Sequence, residues 1–111
     1  MRNDLERLRD MEEALVNVER YAVRGEIAFF EEELIQTWIL LHLQILGEAA
    51  RSMSGDLIAK YPDIPWGKII GFRNLVVHEY FRVDLQIVWR IVERELPTLK
   101  AQVQAILRDT Q

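Results

Sequence analysis

Leu34-Ile35-Gln36-Thr37-Trp38-Ile39-Leu40-Leu41-His42-Leu43-Gln44-Ile45-Leu46-Gly47-Glu48-Ala49-Ala50 is the stretch that decides the fold. At about 100° per residue, Leu34, Trp38, Leu41 and Ile45 form one stripe, and Ile35, Ile39, Leu43 and Leu46 form another. A helix apolar nearly all round must be covered nearly all round. In a small bundle, that implies a face turned toward another subunit. The most apolar run, Trp38 to Ala50, is interrupted by His42, Gln44, Gly47 and Glu48. It falls short of the roughly 18 consecutive apolar residues of a membrane span, so a buried helix is the better reading. The helix is expected to run from Glu26 to Ser52, with Glu31, Glu32 and Glu33 near its start, where negative charge suits the helix dipole.

Upstream, Leu5, Leu8, Leu15, Val18 and Ala22 recur at three- and four-residue steps and their multiples, predicting a helix from Asp4 to Val23. Arg24-Gly25 stops it, with Gly25 suited to the left-handed C′ position. Downstream, Ser54-Gly55-Asp56 opens a short helical piece ending at Tyr61-Pro62. Asp63-Ile64-Pro65 starts the next helix, with Pro65 at its first position, and that helix reaches Tyr80. Asp84 reads as the N-cap of a further helix carrying Leu85, Val88, Trp89 and Val92. Pro97 has no amide hydrogen and clashes with the preceding turn, predicting a break or kink. Leu99, Val103 and Ile106 continue the apolar phase beyond it. Val76-Val77 and the β-branched residues near Ile87 fit helical spacing better than strand alternation. The expectation is one all-α domain over 1–111, an antiparallel bundle of four or five main helices.

A chain of 111 residues buries only about two-thirds of its unfolded surface, so association would help it. With half its residues hydrophobic it should fold. It has no cysteine, which excludes disulfides and thiolate metal sites and suits a reducing cytoplasm. The N-terminal Met1-Arg2-Asn3-Asp4-Leu5-Glu6-Arg7 is of mixed charge, and no signal peptide is expected. Fourteen Lys and Arg against 18 Asp and Glu give a net charge of −4, without the basic surplus usual in proteins that grip long nucleic acid. If RNA is the substrate, local geometry or another molecule must supply what bulk charge withholds.

The chemistry lies in Pro65-Trp66-Gly67-Lys68-Ile69-Ile70-Gly71-Phe72-Arg73-Asn74-Leu75-Val76-Val77-His78-Glu79-Tyr80-Phe81. On a helix, Asn74 and His78 lie one turn apart on one side, while Arg73 and Tyr80 share a neighbouring stripe with Ile70 and Val77. The Arg73 guanidinium is long enough to swing toward the imidazole, so all four polar tips could border one cleft. Gly71 would let another backbone or a substrate approach closely. These groups suit metal-free phosphodiester cleavage. The 2′-hydroxyl of RNA attacks phosphorus once a base removes its proton, and histidine serves as base or acid near neutrality. A guanidinium fork stabilises the charge that builds on the phosphate oxygens. Asn74 would hold the imidazole or donate to the phosphate, and Tyr80 would bind or orient the substrate. One histidine cannot easily make both proton transfers, and a symmetric dimer would supply the second. A lone histidine on a helix is more often a surface or hydrogen-bonded core residue, so the pattern alone does not establish catalysis.

Arg73-Asn74-Leu75-Val76-Val77-His78-Glu79-Tyr80 resembles the Arg-x4-His-x-Tyr signature of the HepT-like toxins of the HEPN superfamily, which are encoded beside a minimal nucleotidyltransferase antitoxin. The likeness extends through Ile45-Leu46-Gly47-Glu48-Ala49-Ala50, Tyr61-Pro62-Asp63-Ile64-Pro65-Trp66, Tyr80-Phe81-Arg82-Val83-Asp84 and Val88-Trp89, in order over nearly the whole chain. It implies a HEPN-like homodimer whose two signature segments meet in a shared cleft. It further implies the toxin of a type II toxin–antitoxin pair, a metal-independent endoribonuclease. Arg73 and His78 match the family's catalytic pair, and Asn74 the polar residue beside the arginine. Tyr80 matches the tyrosine that the partner modifies with AMP, which would set bulk and negative charge at the cleft mouth and repel RNA phosphate. The expected partners are RNA, a second copy and the nucleotidyltransferase. No cofactor, metal or membrane is expected, and the location is cytoplasmic.

Other residues read more plainly. His42, amid Trp38, Leu41 and Ile45, is a core or interface histidine. Gly47 permits a close helix crossing, and Glu48 caps or pairs nearby. Trp66 and Trp89 are core anchors. Arg51, Lys60, Lys68, Arg82, Arg90 and Arg94 are scattered surface charge by default. A rival function is a non-catalytic binding or assembly subunit that presents a substrate to a partner nucleotidyltransferase, which the acidic balance favours. A plain dimerisation module would leave Arg73, Asn74 and His78 unexplained.

Overall fold

Asn3 begins the first helix by accepting the Glu6 amide on its side-chain oxygen at 3.0 Å, and α1 runs Asp4–Ala22. A computed structural model describes residues 3–110; Met1 and Arg2, which open the mixed-charge N-terminus, and Gln111 lie outside the described residues. Along α1, Leu8, Met11, Ala14, Leu15 and Val18 are buried, with Leu5 and Ala22 partly so, giving the apolar face that the spacing predicts. Gly25 has φ +95° and ψ 173°. It takes the positive φ expected of a glycine here, but not the left-handed helical turn at C′. Val23 is the C-cap of α1, and Gly25, two residues on, is the N-cap of α2.

The single helix expected over Glu26 to Ser52 is two. The helix α2 covers Glu26–Glu31, α3 covers Glu33–Arg51, and Glu32 between them is extended at φ −112°, ψ 106°. The Gln36 side-chain Nε2 donates to the Phe29 carbonyl at 2.9 Å and the Phe30 carbonyl at 3.3 Å, supplying partners that a continuing helix would otherwise provide. The bend drives Phe29 into the core, where its ring lies 5.3 Å from that of Trp89. The two stripes of α3 then part company. Ile35, Ile39, Leu43 and Leu46 are buried, whereas Leu41 and Ile45 are exposed and Leu34 is 84 % exposed.

Ser54 caps α4, Gly55–Lys60, by accepting the Leu57 amide at 3.1 Å. Its own amide and hydroxyl donate to the Asp4 carboxylate at 2.9 and 2.6 Å, tying the start of α4 to the start of α1. Pro65 is the N-cap of α5, Trp66–His78, one position earlier than expected. Trp66 and Trp89 are buried anchors; the Trp66 indole donates to the Tyr61 carbonyl at 3.0 Å. The helix ends at His78, not Tyr80. Glu79, at φ −137° and ψ 46°, leads into a 3₁₀ turn over Tyr80–Arg82.

Asp84 caps α6, Leu85–Arg90, accepting the Gln86 amide at 2.9 Å. The expected break at Pro97 is instead a widened turn. Ile91–Glu95 is π-helical, the Leu96 amide reaches back to the Ile91 carbonyl, and α7 follows over Leu96–Thr110. Widening the turn ahead of proline relieves the clash with the carbonyl four residues earlier without ending the rod. Four long rods, α1, α3, α5 and the α6–α7 run, make up an all-α bundle in which α3 packs on α1 and α5, and α7 on α1. Among the described residues there is no strand, and no helix is long and apolar enough to cross a membrane.

Candidate functional site

Where α3 crosses α5, the backbone of Gly47 faces the stem of Arg73. A Cβ on Gly47 would overlap the Arg73 Cβ, lie 2.8 Å from its Cγ and 3.2 Å from the Ile69 carbonyl oxygen. Only glycine allows this approach, so the expected close crossing has a named partner. Gly71 is different: a Cβ there would meet nothing within 4 Å, and the residue lines an open apolar groove with Phe72, Leu75 and Leu99. Nothing in the packing of the described residues requires a glycine at that position.

Arg73 is held at both ends of its fork. One terminal nitrogen, Nη1, donates to the Asn74 Oδ1 at 2.9 Å, and the other, Nη2, pairs with the Glu48 Oε2 at 2.7 Å. The side chain is 14 % exposed, and its Nε is buried without a hydrogen-bond partner among the described residues. Glu48, by contrast, is 50 % exposed. Glu48, expected from the sequence to cap or pair nearby, pairs with Arg73 across 25 positions of chain. No local pattern names such a partner.

Asn74 and His78 are both exposed and lie one turn apart on α5, as the spacing predicts. The Asn74 hydrogen bond draws the Arg73 guanidinium to that side of the helix. No hydrogen bond joins Arg73 to His78 among the described residues. The stripe expected to run from Arg73 to Tyr80 is not formed, because the backbone leaves the helix at Glu79. Tyr80 sits instead in the 3₁₀ turn, exposed, with its ring 5.5 Å from and perpendicular to that of Phe81. Phe81 itself is 99 % exposed, an apolar ring left in water beside the site.

His42 falls to the core reading. It is buried with its ring 4.4 Å from that of Trp38, and neither nitrogen has a hydrogen-bond partner among the described residues. Burial lowers its pKa below the ordinary value, the Arg20 charge lowers it further, and Glu13 opposes them. It lies on the α1 side of α3, in a small cleft with Glu13 and Asn17, away from the Gly47–Arg73 crossing. Among the described residues no three His, Asp or Glu side chains are gathered as metal ligands.

A family model described as ribonuclease HepT-like matches residues 11–106. A candidate RNase of Methanocaldococcus jannaschii is 33 % identical over 78 residues, which is 70 % of this chain and 72 % of that protein. One named "Probable ribonuclease HepT" from Thermococcus cleftensis is 29 % identical over 102 residues, covering 89 % of this chain and 91 % of its own. A candidate RNase of Caldanaerobacter subterraneus subsp. tengcongensis is 32 % identical over 80 residues, 72 % of this chain and 71 % of that one. No solved structure matches the chain.

Proposed function

We propose that this chain, which belongs to the HepT-like ribonuclease family, cleaves RNA at a site built on Arg73, Asn74 and His78, with Tyr80 at its mouth. Membership makes it an endoribonuclease; the assignment of groups is the proposal. The observation that carries it is the Arg73 fork, fixed by Asn74 and Glu48 on the helix whose last residue is the exposed His78. His78 takes the proton of the 2′-hydroxyl as that oxygen attacks phosphorus, or returns a proton to the departing 5′-oxygen. Arg73 offers paired donors to the phosphate oxygens as negative charge accumulates. Asn74 orients the guanidinium.

A second copy supplies the histidine for the other proton transfer. Supporting this, Leu41 and Ile45 are exposed and lie two turns and one turn before Glu48 on the same face of α3, so an apolar surface leads directly to the Arg73 pair. The cellular role is that of a toxin in a type II pair. A nucleotidyltransferase antitoxin neutralises it by placing AMP on the hydroxyl of the exposed residue Tyr80, which crowds the cleft and repels phosphate.

The test is cleavage of RNA by purified protein in the presence of EDTA. Wild type cuts; His78→Ala and Arg73→Ala do not, while light scattering still reports a dimer. Cleavage by His78→Ala at the wild-type rate would sink the assignment. The net charge of −4 favours the rival reading of a non-catalytic subunit presenting a substrate to the nucleotidyltransferase, and a wild-type protein that binds but never cuts RNA would establish it. For AMP acceptance, Tyr80→Phe loses the adduct in mass spectrometry after incubation with the partner enzyme and ATP.

A further inference from the structure

The Arg73 guanidinium has five N–H donors in principle. Its Nε–H is enclosed without a hydrogen-bond partner among the described residues, one N–H of Nη1 goes to Asn74 at 2.9 Å, and one of Nη2 goes to Glu48 at 2.7 Å. Each terminal nitrogen therefore keeps one donor, the pair that a phosphate group accepts through two oxygens. With oxygen acceptors at both ends, the fork cannot turn about its own axis without breaking a bond. The stem cannot shift toward α3 either, because Gly47 leaves it no slack there.

We infer that Glu48 is the positioning residue for Arg73: its carboxylate aims the two remaining guanidinium donors at the scissile phosphate. This rests on the ribonuclease reading of the site. The pair is asymmetric: the Arg73 side chain is 14 % exposed and Glu48 is 50 % exposed, so a hydrated carboxylate fixes the direction of a largely enclosed guanidinium. Glu48 touches no reacting atom and transfers no proton. It stands on α3, in the residue after the glycine that admits Arg73, so one short segment both makes room for the arginine and sets its angle.

The experiment compares Glu48→Ala, Glu48→Gln and His78→Ala with the wild type in steady-state cleavage of a short RNA, alongside the NMR signals of the Arg73 side chain. In the wild type the Arg73 Nε–H exchanges slowly and its terminal N–H protons are resolved, because rotation is hindered. In Glu48→Ala those signals average, and kcat falls about 30- to 100-fold, since a displacement near 1 Å costs on the order of 100-fold in rate. KM changes less than about 3-fold, and circular dichroism at the assay temperature shows the helical content of the wild type. Glu48→Gln keeps an oxygen acceptor and recovers to within about 10-fold of wild-type kcat.

Unchanged Arg73 signals in Glu48→Ala overturn the inference, as does unchanged kcat. A lower KM at wild-type kcat overturns it too, making Glu48 a competitor for the phosphate position. The NMR arm does not depend on activity. A wild type that cuts no RNA, or a His78→Ala that cuts normally, removes the ribonuclease site while the aiming of Arg73 by Glu48 is still decided by the spectra.

Discussion

Replacing Gly47 with alanine adds one methyl group where α3 and α5 touch most closely. That carbon would overlap the Arg73 Cβ and lie 2.8 Å from its Cγ and 3.2 Å from the Ile69 carbonyl oxygen, so no rotamer change relieves the clash. The two helices must separate by several tenths of an ångström or more. Overpacking of this kind costs about 1–3 kcal/mol, against about 0.5–1 kcal/mol gained by taking glycine out of a helix interior. The net is a loss of about 1–2 kcal/mol. At about 4 °C per kcal/mol for a domain of this size, the melting temperature followed by circular dichroism should fall by about 4–8 °C. Activity should fall further than stability, because the displaced atoms carry the guanidinium, and cleavage measured at 25 °C should drop on the order of 100-fold. Gly71→Ala is the internal control. Nothing lies within 4 Å of its new methyl, so the helix-propensity gain is unopposed and the melting temperature should rise by about 2–4 °C. A Gly47→Ala protein that melts and cuts like the wild type refutes the close-crossing argument. A fall for Gly71→Ala would show that a second molecule packs on α5.

Two other substitutions probe the bundle away from the site. Ser54→Ala removes the side-chain cap of α4 and the hydroxyl's bond to Asp4, leaving the backbone amide's bond in place, and should cost about 1–3 kcal/mol in urea unfolding; a midpoint equal to wild type would mean that the hydroxyl's bonds are not formed in solution. The pH dependence of stability should carry the signature of His42. Its folded pKa is lowered, first by burial, so the unfolded chain takes up the proton first as pH falls. Stability is therefore fully present above the ordinary value of about 6.5 and declines as pH falls through it toward the folded value. His42→Phe should flatten that decline between pH 7.5 and 5, and equal slopes in the two proteins would refute it.

What was legible in the sequence was local. The apolar face of α1, the short helix opened by Ser54-Gly55-Asp56, the cap at Asp84, and the one-turn relation of Asn74 to His78 depend on neighbours within a few positions, and each is found in the structure. Features resting on distant or competing groups were not. The break at Glu32 depends on the Gln36 side-chain amide turning back onto two carbonyls, which hydrophobic spacing does not record. The chain leaves the helix at Glu79 with neither glycine nor proline to mark the spot, so Tyr80 was placed on a stripe it does not occupy. Pro97 was rightly read as incompatible with a regular α-turn, but the π segment that absorbs it was one of several responses open to the chain. Glu48 was visible only as a residue able to pair, since its partner lies on another rod.

An acidic chain acting on RNA raises a question of scale. Lys and Arg number 14 against 18 Asp and Glu, so no surplus positive field draws a polyanion in from a distance. Recognition must then come from a few short, directional contacts, and salt dependence measures how few. For single-stranded RNA, log K falls with log salt at about −0.7 per phosphate neutralised. If the site consists of Arg73 and its symmetry mate, about two phosphates are neutralised and the slope of RNA affinity against salt should be near −1.4. Arg73→Ala should bring it close to zero. Titration of a 2′-O-methyl RNA, which cannot be cut by 2′-hydroxyl attack, over roughly 50–300 mM salt gives the slope without interference from cleavage. A slope steeper than about −3 that survives Arg73→Ala would mean that other basic side chains grip the backbone. The fork at the α3–α5 crossing would then not be what selects the phosphate.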